Sequence, residues 1–125
     1  MATKAVLKLT QVHGVVKVRG TGSATIALAT DLKKSSETQS SPKANIRTLH
    51  WALSVGSTAT VTRNSVVLYY LSGSGKMEFM GWSDNEENGS DIVVDFSSGT
   101  GSVVLELAKI SGYGSQQHQN QGDLG

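Results

Sequence analysis

The stretch DNEENGSDIVVD, residues 84–95, has the residue types of a calcium-binding loop. Oxygen-bearing and turn-forming residues occupy the first, third, fifth, sixth and twelfth positions of that loop: Asp84, Glu86, Asn88, Gly89 and Asp95. Calcium requires oxygen ligands at alternating positions and a sharp turn at the glycine, but the twelfth position favours a bidentate glutamate and the flanks are normally helices. Because both flanks have strand patterns here, we prefer an exposed acidic hairpin tip that turns at Asn88-Gly89, with calcium binding as the open alternative.

Other patterns that could support catalysis are incomplete. The three histidines have no metal-ligand spacing: His13, His50 and His118. LSGSGKM contains Gly75-Lys76, as phosphate-binding loops do, but Met77 stands where Ser or Thr is required and a strand pattern follows where a helix is needed. We interpret this segment as a hairpin turn. We predict that the protein is not an enzyme and uses no cofactor.

Length and composition limit what can hold the chain together. With 125 residues, the chain fits one domain with one modest core. It contains no cysteine, so a disulfide framework, a thiolate metal site and a cysteine nucleophile are excluded. No apolar stretch reaches the length of a secretory h-region or a membrane span, so we expect a soluble protein made in a cytoplasm, with no membrane partner.

Positive and negative charges are divided between the two halves of the sequence. Residues 1–63 contain nine Lys or Arg against two acids, whereas residues 64–125 contain two Lys against eight acids. If the halves lie on different faces, copies could dock positive side to negative side. If the halves intermix in one sheet, the charges cancel locally.

Nucleic-acid binding would require aromatic residues among the basic ones, as stacking surfaces have. Trp51 is the only aromatic residue before position 69, so we predict no specific nucleic-acid partner. The candidates for contacts with a protein partner are Lys33, Lys34, Lys43 and, as an aromatic anchor just before the acidic segment, Trp82.

Apolar residues recur at period two in short segments separated by Gly, Ser and Asn, which is typical of half-buried strands. These segments are KAVLKLTQV, VVKVRG, SATIALATDL, IRTLHWALS, STATVTRN, SVVLYYLSG, KMEFMGW, DIVVDFS and SVVLELAKI. SVVLYYLSG is apolar on both faces, so we predict a central strand that is covered on both sides. Regular turn signals between the segments predict an all-β fold, a single antiparallel β-sandwich or barrel of about eight strands with extended termini.

Two polar segments depart from this pattern. Residues 33–45, KKSSETQSSPKAN, contain the only proline and predict a long polar loop within a β-sandwich domain of residues 1–114. Residues 115–125, SQQHQNQGDLG, predict a polar C-terminal tail. The N-terminal MATKAVLKL and this tail are candidate arms that bind a neighbouring chain. The candidate contact residues of the tail are Gln116, Gln117, Gln119 and Leu124.

The β-rich run LHWALSVGSTATVTRNSVVLYYLSGSGKMEFMGW, with its flanks MATKAVLKLT and SQQHQNQGDLG, resembles the accessory virion proteins of tailed bacteriophages. That class includes capsid decoration (cement) proteins and small β-sandwich proteins of the neck and tail. The resemblance implies a non-enzymatic virion protein, made in the cytoplasm of the host bacterium, that binds the outer face of the major capsid protein lattice. It also implies a homo-oligomer, often a trimer, that reinforces the shell against internal DNA pressure.

Two alternatives stay open at this stage. The first is a neck, tail or baseplate adaptor of the virion, which would differ from a decoration protein in low copy number and ring symmetry. The second is a carbohydrate-binding or calcium-binding β-sandwich module, with Trp51, Trp82 and residues 84–95 as its site. A calcium-dependent rise in melting temperature would favour the second.

Overall fold

The computed structural model describes residues 2–34, 37–78 and 83–114, which form one antiparallel sheet of seven strands and one short helix. The elements are β1 (Thr3–Leu9), β2 (His13–Ile26), α1 (Leu28–Asp31), β3 (Thr38–Leu53), β4 (Thr58–Arg63), β5 (Val66–Ser72), β6 (Ser74–Glu78) and β7 (Ile92–Gly114). All strand pairs are antiparallel. The predicted all-β sandwich or barrel is therefore confirmed.

The long strand β7 organises the sheet because it is paired on both sides along most of its length. Its first part pairs with β4 and with the second part of β2. Its second part pairs with β3 and with the first part of β2. The partner changes at a bend that includes Gly99, where φ is 89° and an added Cβ would lie 1.8 Å from the Ser57 hydroxyl oxygen. Glycine is thus required at this bend.

The sheet closes on itself on one side of β7. β5 pairs with β4, and the chain then turns at Gly73, where φ is 62°, into β6, which pairs with β3. Because β3 and β4 both pair with β7, the strands β3, β4, β5, β6 and β7 form a closed, barrel-like arrangement. β2 and then β1 extend the sheet beyond this barrel. The predicted hairpin turn in LSGSGKM is wrong, because the strands on either side of Gly73 pair with different neighbours.

Alternate positions of these strands form one apolar core. Twelve apolar strand residues have 0 % relative exposure: Val16, Val18, Ile26, Ala44, Ile46, Leu49, Val61, Ile92, Val94, Val103, Leu105 and Leu107. Burial of a valine, leucine or isoleucine side chain stabilises a fold by about 1.5–3 kcal/mol. The core therefore holds together a chain that has no disulfide. IRTLHWALS, predicted as a strand, lies in β3 except for its last residue, Ser54.

The segment SATIALATDL does not form the separate third strand that its apolar alternation predicts. β2 continues through a bulge between Gly20 and Gly22 into this segment, and α1 begins at Leu28. The Asp31 carboxylate accepts a hydrogen bond from the Ala27 amide at 2.8 Å. This local contact stabilises a helical turn, which the apolar pattern alone does not reveal.

The predicted polar loop at residues 33–45 is wrong over most of its length. β3 begins at Thr38, and its first part pairs with residues 111–114 at the end of β7. The ladder is irregular there: the register shifts, and Ser41 has a φ of 49°. An irregular ladder tolerates Pro42, which has no amide hydrogen to donate. The composition of the segment does not show this pairing, because the partner lies far away in the sequence.

Candidate interaction surfaces

β1 lies at an edge of the sheet and buries almost none of its own side chains. Among the described residues it pairs with β2 alone, and residues 3–8 are all exposed, with Leu7 at 56 %. Lys4 fixes the strand in place, because its Nζ donates to the Asp31 carboxylate at 2.5 Å and to the Thr25 carbonyl at 2.6 Å. The backbone of β1 is therefore extended, and no described strand covers its outer edge.

β5 presents apolar side chains to solvent, and the prediction that both of its faces are covered is wrong. Val66, Val67 and Tyr70, here named the β5 patch, are exposed, Tyr70 to 80 %. Only Leu71 of this strand is buried. A shallow cavity of about 340 Å³ borders the patch and is lined by Thr58, Ala59, Thr60, Tyr70, Leu71 and Ser72. The sequence pattern missed this exposure because an apolar outer face does not tell whether its own chain covers it.

The outer face of β1, β2, β7, β3 and β6, opposite the core, forms a third surface, here named the open sheet face. Residues that are paired across antiparallel strands share a face, so the register defines transverse rows. The first row is Thr3, Arg19, Ser102, Ala52 and Ser74. The second row is Ala5, Lys17, Val104, His50 and Lys76. The third row is Lys8, Val15, Glu106, Thr48 and Glu78. All of these side chains are exposed or half-buried.

The lysines predicted to contact a partner lie at one end of the molecule. Lys33 and Lys34 follow α1 and are half-buried, whereas Lys43 is an exposed residue of β3. Thr38 pairs with Gly114, so the end of β7 lies beside the start of β3. The other predicted contact residues lie outside the described residues: Trp82, Gln116, Gln117, Gln119 and Leu124.

A buried polar cluster fixes this end of the molecule. Lys109 Nζ donates to Glu37 Oε1 at 2.6 Å and to the Thr10 carbonyl at 2.9 Å, and it lies 4.6 Å from the centre of the Tyr113 ring. Both side chains of the Lys109–Glu37 ion pair are almost fully buried, at 1 % and 0 % exposure. Glu37 Oε1 also accepts a hydrogen bond from the Lys34 amide, and Tyr113 donates to the Leu28 carbonyl. The cluster ties β7 to the segments around α1.

Burial shifts the ionisation of this cluster. Desolvation lowers the pKa of Lys109, and the hydrogen bond and attraction of Glu37 oppose that shift. Desolvation also raises the pKa of Tyr113. Because the ammonium group is enclosed by its partners, it ties these segments together and is not placed to react with a ligand.

Arg63 is the second buried cation, and it holds the acidic segment against the barrel. Its side chain has 0 % relative exposure. The guanidinium donates to the Ala44 carbonyl at 2.7 Å, to the Asn88 carbonyl at 3.0 Å and twice to the Ser90 carbonyl, at 2.7 and 3.0 Å. Desolvation lowers the pKa of Arg63, and nearby carboxylates, first Asp84, oppose that shift. A single side chain thus donates to three backbone carbonyls.

The carboxylates of residues 84–95 do not converge on a cation site. Asp84 accepts hydrogen bonds from the Tyr69 hydroxyl and from the Glu86 amide, whereas Glu87 accepts one from the Asn64 side chain. Burial, followed by the Asp84 contact, raises the pKa of Tyr69. Within the described residues, no three His, Cys, Asp or Glu side chains are grouped so that they could hold a metal ion. The ligand set that calcium would need is therefore not brought together.

The acidic segment is also not the predicted hairpin tip. It leads into β7, which pairs with β2, β3 and β4, whereas β6 pairs with β3. Its backbone instead bridges to β3, since the amide and carbonyl of Ile46 bond to those of Asp84. The turn covers residues 86–89, and Glu87 has a positive φ of 52°. Residues 84–91, here named the strap, cross the end of the barrel before β7 begins.

The histidines are separate, and the two charged halves of the sequence are interleaved. His13 Nε2 lies 2.7 Å from Arg47 Nη1, and His50 is exposed on the open sheet face, whereas His118 lies outside the described residues. β7, from the acidic half, lies between β2 and β3, from the basic half. The alternative in which the two halves of the sequence lie on different faces is therefore wrong. Positive and negative residues separate only over shorter distances, within one face of the sheet.

Comparisons with known proteins do not indicate a function for these surfaces. No helix among the described residues is long and apolar enough to cross a membrane. No protein-family model, curated protein or solved structure matches this chain.

Proposed function

We propose that this chain is a non-enzymatic structural protein of a bacteriophage virion that binds the assembled capsid surface as a decoration protein. The observation that carries the proposal is the exposure of β1, because residues 3–8 form an extended strand, with one register shift between Val6 and Lys8, whose side chains all remain in contact with solvent. Such a strand adds little hydrophobic stabilisation to its own fold. Paired with a strand of a partner, it supplies backbone hydrogen bonds and apolar contacts together.

The mechanism is thermodynamic. A protein that binds only the assembled shell stabilises that state by mass action, and repetition over a lattice multiplies a modest contact. β1 suits this role because its pairing with β2 and the contacts of Lys4 already fix its conformation. Binding by a preformed strand avoids most of the entropy lost when a flexible arm becomes ordered.

The β5 patch supports an assembly role independently of β1. Large exposed aromatic and β-branched side chains on a strand are typical of surfaces that a partner covers. Tyr70 borders a shallow cavity rather than a deep one, as a broad protein contact requires. A decoration protein that touches more than one lattice subunit needs at least two such surfaces.

The first test is the copy number of the chain in virions. Particles of the phage whose genome encodes the chain are purified, and its ratio to the major capsid protein is measured by quantitative mass spectrometry. A fixed ratio that matches the lattice supports decoration. A copy number equal to a single ring moves the protein to the neck, tail or baseplate, and absence from the particles overturns the proposal.

The second test asks whether β1 makes the contact. The double variant Val6→Ser, Leu7→Ser removes the large exposed apolar side chains of β1, and Val55→Ser, in the turn after β3, removes an even more exposed one elsewhere. We expect particles to lose the β1 variant on washing and to retain the Val55 variant, with unchanged melting temperatures for both. Equal retention of the two variants would contradict docking through β1.

A further inference from the structure

The open sheet face carries its charges in adjacent bands, and this feature is independent of the proposed function. Lys17 and Lys76 lie in the second row, and Arg19 lies in the first. Glu106 and Glu78 lie in the third row. Apart from Lys8 at the β1 end, a basic band and an acidic band therefore run side by side across the strands.

The chain neutralises only part of this charge by itself. Lys76 Nζ lies 2.9 Å from Glu78 Oε1, and both groups are about half exposed. Glu106 accepts a hydrogen bond of 3.1 Å from Thr48. Lys17 and Arg19 make no ion pair with the described residues, and they line a shallow cavity of about 250 Å³ at the β1–β2 side of the face. The basic band thus has charge available for a partner.

A second copy of this chain fits the pattern. A two-fold axis that lies parallel to the rows, between the basic and acidic bands, places the basic band of each copy over the acidic band of the other. The strands of the two copies then run nearly aligned, as in face-to-face packing of two sheets. Because such an interface is isologous, each favourable charge contact occurs twice. We infer that the open sheet face binds the same face of a second copy as a symmetric pair.

The size of the face sets the strength of this pairing. Five strands about 4.8 Å apart and three rows about 6.8 Å apart give a footprint of roughly 24 Å by 20 Å. That footprint, on the order of 500 Å², is smaller than the roughly 800 Å² per partner of stable complexes. The pair is therefore weak and reversible. It depends on salt, because exposed charges are screened.

The test is sedimentation equilibrium of the free full-length chain, whose mass is 13.1 kDa, at low and high ionic strength. We expect a concentration-dependent mass that approaches twice the monomer at low salt and returns to the monomer at about 1 M salt, where the Debye length is about 3 Å. Lys17→Glu and Glu106→Lys each place like charges together, so each weakens the pair by about tenfold or more. The double variant restores opposite charges and recovers the pair.

Matched controls separate this contact from net charge and from folding. Lys43→Glu and Glu86→Lys change the net charge identically at exposed positions outside the three rows, and they leave the pair intact. Thermal unfolding at high dilution shows whether each variant is folded. A chain that is monomeric at millimolar concentration, a three-copy assembly, a double variant without recovery, or association that strengthens with salt would each overturn the inference. Strengthening with salt would instead indicate apolar association through the β5 patch.

Discussion

β1 and β7 both pair with β2, but they have opposite surroundings. β7 is paired on both sides along most of its length, and Val103, Leu105 and Leu107 are completely buried. β1 is paired on one side, and residues 3–8 are exposed. β7 therefore contributes to the buried core, whereas β1 contributes little to it and is the strand proposed to bind a partner. Stability and binding should therefore respond to different substitutions.

The largest effect is expected from Lys109→Met, which breaks the buried ion pair beside the end of β7. Methionine fills a similar volume but leaves the Glu37 carboxylate buried without its cation, which costs about 3–5 kcal/mol of unfolding free energy. Chemical denaturation of both proteins measures this change. The double variant Lys109→Met, Glu37→Gln removes the uncompensated charge and should recover much of the loss. A single variant as stable as the native chain would show that the pair contributes nothing to the fold.

A slightly smaller loss is expected from Arg63→Met. Arg63 lies near the same cluster, because it donates to the carbonyl of Ala44, the cross-strand partner of Lys109. The substitution leaves the Ala44 and Ser90 carbonyls without the Arg63 donor, at a cost of about 2–3 kcal/mol, whereas the Asn88 carbonyl keeps its hydrogen bond from the Ala44 amide. Arg47→Met is the control, because Arg47 is only half-buried and contacts His13. Denaturant midpoints compare the two variants. Equal midpoints would contradict the role of Arg63 in fixing the strap.

An intermediate effect is expected at alkaline pH. Burial raises the pKa of Tyr69 and Tyr113 above their ordinary value of 10.0, so their contribution to stability is complete below pH 10.0 and declines as the pH rises further. The pH dependence of the Lys109 contribution is opposite. Because burial lowers the pKa of Lys109 in the fold, this contribution to the free energy of unfolding increases as the pH rises towards 10.5. Comparing Tyr69→Phe with the native chain isolates the tyrosine contribution. The variant should lose about 1 kcal/mol at neutral pH and show a flatter alkaline decline.

The free energy of unfolding of Tyr69→Phe could instead have the same pH dependence as that of the native chain. That result would show that the fold does not raise the pKa of Tyr69. Its contact with Asp84 would then add nothing to stability at the end of the barrel.

The smallest effect on stability is expected in β1 itself. Leu7→Ser changes a side chain that is 56 % exposed, so the free energy of unfolding should change by less than about 0.5 kcal/mol. Leu105→Ser in β7 is the matched substitution at 0 % exposure, and it should destabilise strongly. Similar destabilisation by both substitutions would remove the distinction between a structural strand and a docking strand.

The sequence predicted most strands because alternation marks which side chains face the core. Val16 and Val18 of β2 and Val103, Leu105 and Leu107 of β7 illustrate this. Pairing partners were harder to predict, since they depend on distant contacts. Thr38 pairs with Gly114 despite the polar composition of both segments, and the single turn of α1 depends on one side-chain contact of Asp31.

The candidate surfaces were predictable only in part. The N-terminal segment was expected to be an arm that binds a neighbour, and β1 occupies an edge as that role requires. The β5 patch was missed because apolarity on two faces has the same signature whether the same chain or a partner covers it. The charge bands of the open sheet face could not be predicted either, because they depend on the register of five strands.

Amide hydrogen exchange in β1, Thr3–Leu9, tests the docking role most directly. Exchange is compared between the free chain and the chain bound to capsid particles, with β7 as an internal reference. We predict rapid exchange of the outward-facing β1 amides in the free chain and strong protection in the bound chain, with little change in β7. Unchanged exchange in β1 while the chain is bound would contradict the account.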